Sequence, residues 1–178
     1  MLRPDIQKRL IDEGRKFLKS FVTTSYDDFE SDQQLKLPQP PLVKAAMTER
    51  AFPLPRNFED LEMIDDLVSI LTERKSSRVY TQQSISLLQL SFLLWATQGI
   101  KDIRGKSYAT LRTVPSGGAR HAFETYLLVQ NVEGLQPGAY HYLPLDHQLE
   151  FLHSVEDLPE TITRSLVGQS WAAKADVT

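Results

Sequence analysis

The 178-residue chain contains no cysteine. That excludes disulfides, thiolate nucleophiles, iron–sulfur clusters and cysteine–zinc sites together, and it agrees with a cytoplasmic protein. No apolar run approaches the roughly 18 residues that a membrane-spanning helix requires. The N-terminal MLRPDIQKRL lacks the apolar centre of a secretory signal. Positive charge is in short supply: 20 Lys and Arg stand against 23 Asp and Glu, and a formal net charge of −3 gives no general attraction to nucleic acid. There is no G-x-G-x-x-G and no phosphate-loop motif, which argues against a Rossmann or nucleoside-triphosphate fold. The four histidines show no i, i+4 pairing. His141, His147 and His153 are spread over a meander, so no metal site is expected.

What is present fits one soluble globular domain, with 41% hydrophobic and 24% charged residues. Ile6, Leu10, Phe17 and Phe21 fall near one face, which predicts a helix over 5–21 preceded by Pro4. Residues 22–56 hold five of the ten prolines and no sustained period. They read as an extended arm, laid along the surface or reaching a second subunit, with a disordered tail as the other reading. This divides the chain into an N-terminal helix and arm over 1–56 and a domain over 57–178. Leu61, Ile64, Leu67, Val68 and Leu71 predict a helix over 57–73 capped by Asn57. SLLQLSFLLWATQG predicts a deeply buried helix with a capping box at Ser86 and Gln89, and with Gly99 in a positive-φ C-terminal position. Residues 123–129 read as a central strand, apolar on both faces. Two short strands follow at 139–143 and 149–153, with Tyr140 and Tyr142 on one face as packing residues. Pro159 and Gly168 bracket a last helix, and AKADVT opens towards a further strand.

Two stretches carry possible chemistry. In ERKSSRVY, Arg74, Lys75 and Arg78 bring three cations, and Ser76 a hydroxyl, to one helix C-terminus. Favourable interaction with the macrodipole, roughly 0.3–1 kcal/mol per cation, accounts for such a cluster without any ligand. An anion site is the alternative, each charge-assisted hydrogen bond to a phosphate contributing roughly 1.5–3 kcal/mol. In PSGGARHAFETYLLV, adjacent Gly117 and Gly118 suit positive φ or close approach of the backbone to a ligand. Ser116 lacks the G-x-S-x-G frame of a nucleophile elbow. His121, beside Arg120, is the one histidine in a suggestive setting.

RKSSRVY, SLLQLSFLLWATQGI, PSGGARHAFETYLLV and NVEGLQPGAYHYLPLDHQLEFL occur in the order and spacing of the nitroreductase superfamily. They most resemble its SagB-type dehydrogenase branch, over about 57–178. The resemblance implies an α+β fold, a mixed sheet flanked by helices, in an intertwined homodimer with FMN at the interface. It implies that Arg74, Lys75 and Ser76 hold the FMN phosphate and ribityl chain, that Arg78 faces the flavin pyrimidine, and that Pro115, Ser116, Gly117 and Gly118 line the ring. No residue is singled out as catalytic. Reduced nicotinamide, NADH or NADPH, would donate a hydride; in the SagB-type branch a peptide azoline would be oxidised instead. Lys75 stands in place of a commoner arginine and loses its fork, and Ala122 in place of a commoner proline. The resemblance also implies a second half of the domain, so the chain is expected to be incomplete at its C-terminus and to bind FMN weakly alone. A flavin-free remnant that binds a partner without catalysis is the alternative.

Overall fold

The computed structural model describes residues 3–18, 30–106 and 108–178. The chain divides into two units, Met1–Pro40 and Pro41–Thr178. In the first, helix α1 (Pro4–Leu18) carries Asp5 in its first turn and Arg15 and Lys16 in its last, which complements its dipole. None of its residues is buried, and Phe17 and Leu18 are largely exposed. Residues 19–21 of the predicted helix, and 22–29 of the predicted arm, lie outside the described residues.

The second unit is built on a four-stranded antiparallel sheet in the order β1-β6-β5-β4. Its strands are β1 (Ala51–Pro53), β4 (Tyr126–Val129), β5 (Gly138–Leu143) and β6 (Gln148–His153). The two meander strands form within a residue of their expected limits. β1 is a strand that the proline-rich composition conceals: residues 51–53 pair with 148–150 at the sheet edge, where proline needs no inward donor. β4 starts at Tyr126 rather than at Phe123, which is 86% exposed. On its outer side Leu128 and Thr178 exchange two backbone hydrogen bonds of 2.8 and 3.0 Å. β4 is thus the edge strand of the four rather than the central strand expected, its outer side bordered by an isolated bridge at 177–178. A parallel contact enters at the isolated bridge between Ile85 and Val132.

Helix α2 (Leu67–Glu73) is only the second half of the expected 57–73 helix. Asn57 makes no cap of its own backbone turn; its amide donates to the Asp60 carboxylate at 2.6 Å, beside a single 3-10 turn over Phe58–Asp60. The helix restarts where the Asp66 carboxylate accepts from the Ser69 N–H at 2.8 Å. The short acidic side chain of Asp66, by taking a backbone amide, starts the helix there instead of at Asn57. The apolar stripe consequently lacks cover: Ile64, Leu67, Val68 and Leu71 are all about two-thirds exposed.

Helix α3 (Leu87–Gln98) has the expected capping box, with Ser86 Oγ accepting from Gln89 N–H and Gln89 Oε1 accepting from Ser86 N–H. It buries one face through Leu90, Ser91 and Leu94, while Leu93 stays about half exposed. The all-apolar composition therefore overstated its depth. Gly99 ends the helix at φ −59°, not at positive φ. It must be glycine for another reason: a Cβ there would lie 2.5 Å from the Trp95 ring and carbonyl. The hairpin of β2 (Ile100–Arg104) and β3 (Ala109–Arg112) was not expected. A register shift between Ile100 and Asp102 spoils its alternation, and β2 is almost wholly exposed. Helix α4 (Leu158–Ser165) lies where Pro159 and Gly168 predicted it.

Leu90 and Leu94 of α3 pack with Leu127, Val129, Tyr140, Leu149 and Phe151 of the sheet in one core. Burying each large apolar side chain contributes about 1.5–3 kcal/mol. Tyr140 and Tyr142 are fully buried, as packing residues should be.

Candidate functional site

The cation cluster stands where α2 stops. Arg74 is its C-cap, donating its backbone N–H to the Ile70 carbonyl at 3.0 Å, and the chain leaves it extended. Lys75, Ser76 and Arg78 follow on an irregular, exposed segment. The Arg78 guanidinium lies 5.2 Å above the Trp171 ring. Arg78 also opens a cleft of about 690 Å³ formed by segments 78–82, 130–131 and 173–176. That volume is within the range of about 300–1,000 Å³ typical of small-ligand and cofactor sites. Lys174 and Asp176 add one charge of each sign to its lining, beside the amides Gln130 and Asn131.

The glycine loop has its own geometry. A 3-10 turn covers Gly117–Ala119, with Ala119 N–H donating to the Ser116 carbonyl at 3.0 Å. The Ser116 hydroxyl accepts from His121 N–H at 3.0 Å, so it serves the loop rather than standing ready as a nucleophile. Gly118 sits at φ +63°, which only glycine adopts without strain. Gly117 faces open space, with nothing within 4 Å of a would-be Cβ. Pro115 is exposed beside them. None of Pro115, Ser116, Gly117 and Gly118 lines the cleft that Arg78 opens, nor do Arg74, Lys75 and Ser76. The two predicted halves of the site are formed, but that cleft does not join them.

Two histidine networks hold buried polar groups around His141 and His147, which the sequence reading assigns to no site. His141 is fully buried between two carboxylates: Nδ1 lies 2.6 Å from Glu150 Oε1, and Nε2 lies 2.9 Å from Glu124 Oε2. With both carboxylates ionised, both ring nitrogens must donate, which makes the ring an imidazolium. Tyr126 stacks on it at 4.7 Å, and its hydroxyl accepts from Lys44 Nζ at 2.7 Å. Glu150 Oε2 accepts from the backbone N–H groups of Met47 and Thr48 at 2.7 and 2.8 Å. Burial alone would raise the Glu150 carboxyl; the His141 bond and these two amides outweigh it and hold it below its ordinary range. In the observed register, with Leu143 opposite Gln148, His141 and Glu150 are direct cross-strand partners; the expected strands 139–143 and 149–153, paired end to end, set His141 opposite Phe151 instead.

The second network joins three elements. Ser91 Oγ donates to the Pro55 carbonyl and lies 2.8 Å from His147 Nε2, while His147 Nδ1 lies 2.8 Å from the Tyr142 hydroxyl. Because the Ser91 proton is committed to Pro55, Nε2–H donates to Ser91 and Nδ1 accepts from Tyr142. Every group is satisfied, and the serine is not activated. Burial and then the charge of Arg56 push the His147 imidazole down to about 4, and burial pushes the Tyr142 phenol up to about 12. His147 is therefore neutral in the fold but charges readily in the unfolded chain near its ordinary 6.5. Its contribution is complete above pH 6.5 and is lost as pH falls towards 4. The urea midpoint should fall across that window, and His147→Gln should flatten the fall. An unchanged pH slope in that variant would exclude the network as its source.

No protein-family profile matches the chain. Over 90 residues it is 38% identical to a protein of Methanocaldococcus jannaschii named as a nitroreductase, covering 51% of this chain and 42% of that one. A crystal structure from Ralstonia eutropha, also named as a nitroreductase, superposes with a TM-score of 0.52 at 31% identity, over 79% of this chain and 58% of that one. One from Anabaena variabilis gives 0.52 at 21% identity, over 76% and 29%, and speaks to the fold alone. The chain thus spans about half the length of the first two of these proteins and less than a third of the last. The chain is nitroreductase-like in sequence, and its α+β fold is of nitroreductase type. Among the described residues no helix is long and apolar enough to cross a membrane.

Proposed function

We propose that the protein is an FMN-dependent oxidoreductase of nitroreductase kind, with the flavin phosphate held by Arg74, Lys75 and Ser76. The observation that carries this reading is a cluster of three cations within five residues, the last of which, Arg78, lines a cofactor-sized cleft, in a nitroreductase-like chain. The residues fit a mononucleotide: one exposed cationic cluster matches one phosphate of about −1.5 to −2 charge, and nothing comparable offers to hold an adenosine half. Bound FMN would supply two-electron hydride chemistry, accepting from NADH, NADPH or, in a SagB-type role, a peptide azoline.

The chain's own residues have separable tasks. Arg74 and Lys75 neutralise the phosphate, and Ser76 offers a hydroxyl to it. Arg78, on the cleft side, faces the ring edge that gains negative charge on reduction, and a fixed cation there favours the reduced form. Gly117 and Gly118 leave a loop surface without side chains, against which a planar ring can lie; Pro115 and Ser116 flank it. Protein purified from its native gene should be yellow and should release FMN on denaturation. Release of FAD, or a colourless protein that takes up no added FMN, would refute the proposal.

We further propose that the working form is a homodimer. The uncovered stripe of Ile64, Leu67, Val68 and Leu71 supports this, being a contiguous apolar face on one helix and its approach. Leu67→Lys with Leu71→Glu should shift the protein from dimer to monomer in sedimentation while leaving its circular dichroism intact. A native protein that sediments as a monomer would favour instead a flavin-free module whose apolar face binds a different partner.

A further inference from the structure

We infer that Trp171 is a positioning residue for Arg78: its ring is the platform that fixes the guanidinium at the cleft. This rests on the role proposed above for Arg78. Arg78 lies on an irregular segment running from the end of α2 to Ile85, where Glu133 N–H donates to the Ile85 carbonyl at 3.0 Å. Its own backbone supplies no helix or strand to aim it. Trp171, by contrast, leads into a segment pinned at several points. It caps the 3-10 turn Ala172–Lys174, whose Ala172 is buried. Gln130 Nε2 donates to the carbonyls of Ala173 and Ala175 at 3.1 and 2.7 Å, and Asn131 Nδ2 donates to Asp176 Oδ1 at 2.8 Å. The backbone amides of Gln130 and Asn131 both donate to the Asp176 carbonyl. The platform is thus tied to the end of β4, and the arginine is the partner that is placed by it.

The chemistry favours this division. A guanidinium lying over an indole covers one face of the cation while its in-plane N–H groups stay available to an acceptor. Among the described residues, Trp171 is the side chain in contact with the Arg78 guanidinium. A lysine, which lacks the planar fork, could keep the charge but not the fork's fixed set of donors.

The test has a flavin-free arm and a flavin arm. In the flavin-free arm, proton NMR of the Arg78 side chain should show a ring-current shift that Trp171→Leu abolishes and Trp171→Phe partly retains. In the flavin arm, FMN-loaded protein is titrated for its midpoint potential and its FMN affinity. Trp171→Leu should weaken the preference for reduced over oxidised flavin about two- to fivefold, with oxidised FMN bound as in the wild type. Trp171→Phe and Arg78→Lys should fall between the wild type and Arg78→Ala. An Arg78 signal unmoved by Trp171→Leu overturns the inference, as does a potential moved by Arg78→Ala but not by Trp171→Leu. A potential unmoved by Arg78→Ala overturns the role of Arg78 itself, and the positioning role with it.

Discussion

Replacing Glu150 with leucine should destabilise the fold by about 3–5 kcal/mol, a large share of the 5–15 kcal/mol typical of a domain. The reason is what stays behind. His141, fully buried, would keep one carboxylate of two, and the N–H groups of Met47 and Thr48 would lose their acceptor. A buried cation left half-paired costs far more than the intact pair contributes. The double variant His141→Leu with Glu150→Leu should therefore be less damaged than the sum of its parts, with a coupling of about 1 kcal/mol or more. Urea unfolding measures all three. A single variant that loses under about 1 kcal/mol would mean that the network is wet and its charges screened. Acid should act in the same direction: the Glu150 carboxyl is held low in the fold, so its stabilisation is complete above its ordinary 4.5 and is lost as pH falls through its folded value.

The second large effect concerns the ligand. Arg74→Ala should weaken FMN binding roughly ten- to hundredfold, the size expected when a charge-assisted hydrogen bond of about 1.5–3 kcal/mol is removed. Arg78→Ala should change affinity much less and the reduction potential much more, because it acts on charge that appears only when the flavin is reduced. Fluorescence titration with oxidised FMN gives the first quantity and a redox titration the second. Equal losses of affinity in the two variants, with the potential unmoved, would show that the two arginines are not divided between phosphate and ring.

The meander and the helix around Leu90 were legible because their information is local. Alternation, a Pro-Gly turn and a Ser-x-x-Gln cap each act within a few residues, and all appear where the pattern places them. The strand at 51–53 was hidden because its partner lies about a hundred residues away. The helix over 57–73 failed because periodicity registers apolar spacing and is blind to Asp66 capping a later start and to Asn57 pairing with the Asp60 side chain instead of capping. Of the candidate site, the cation cluster was visible as charge, and the positive φ of Gly118 was visible as glycine. The partners of His141 and His147 were not, since they come from four separate stretches of chain. The His141–Glu150 pair was missed by one residue of register, since the expected strands paired end to end set His141 opposite Phe151.

The most direct test compares FMN with riboflavin, which has the same ring and ribityl chain but no phosphate. Calorimetric titration of both into the protein isolates what Arg74, Lys75 and Ser76 contribute. FMN bound at least about tenfold more tightly than riboflavin, with that advantage lost in Arg74→Ala, is the expected result. Equal affinity for the two, or binding of neither, would contradict a flavin-phosphate site at the end of α2.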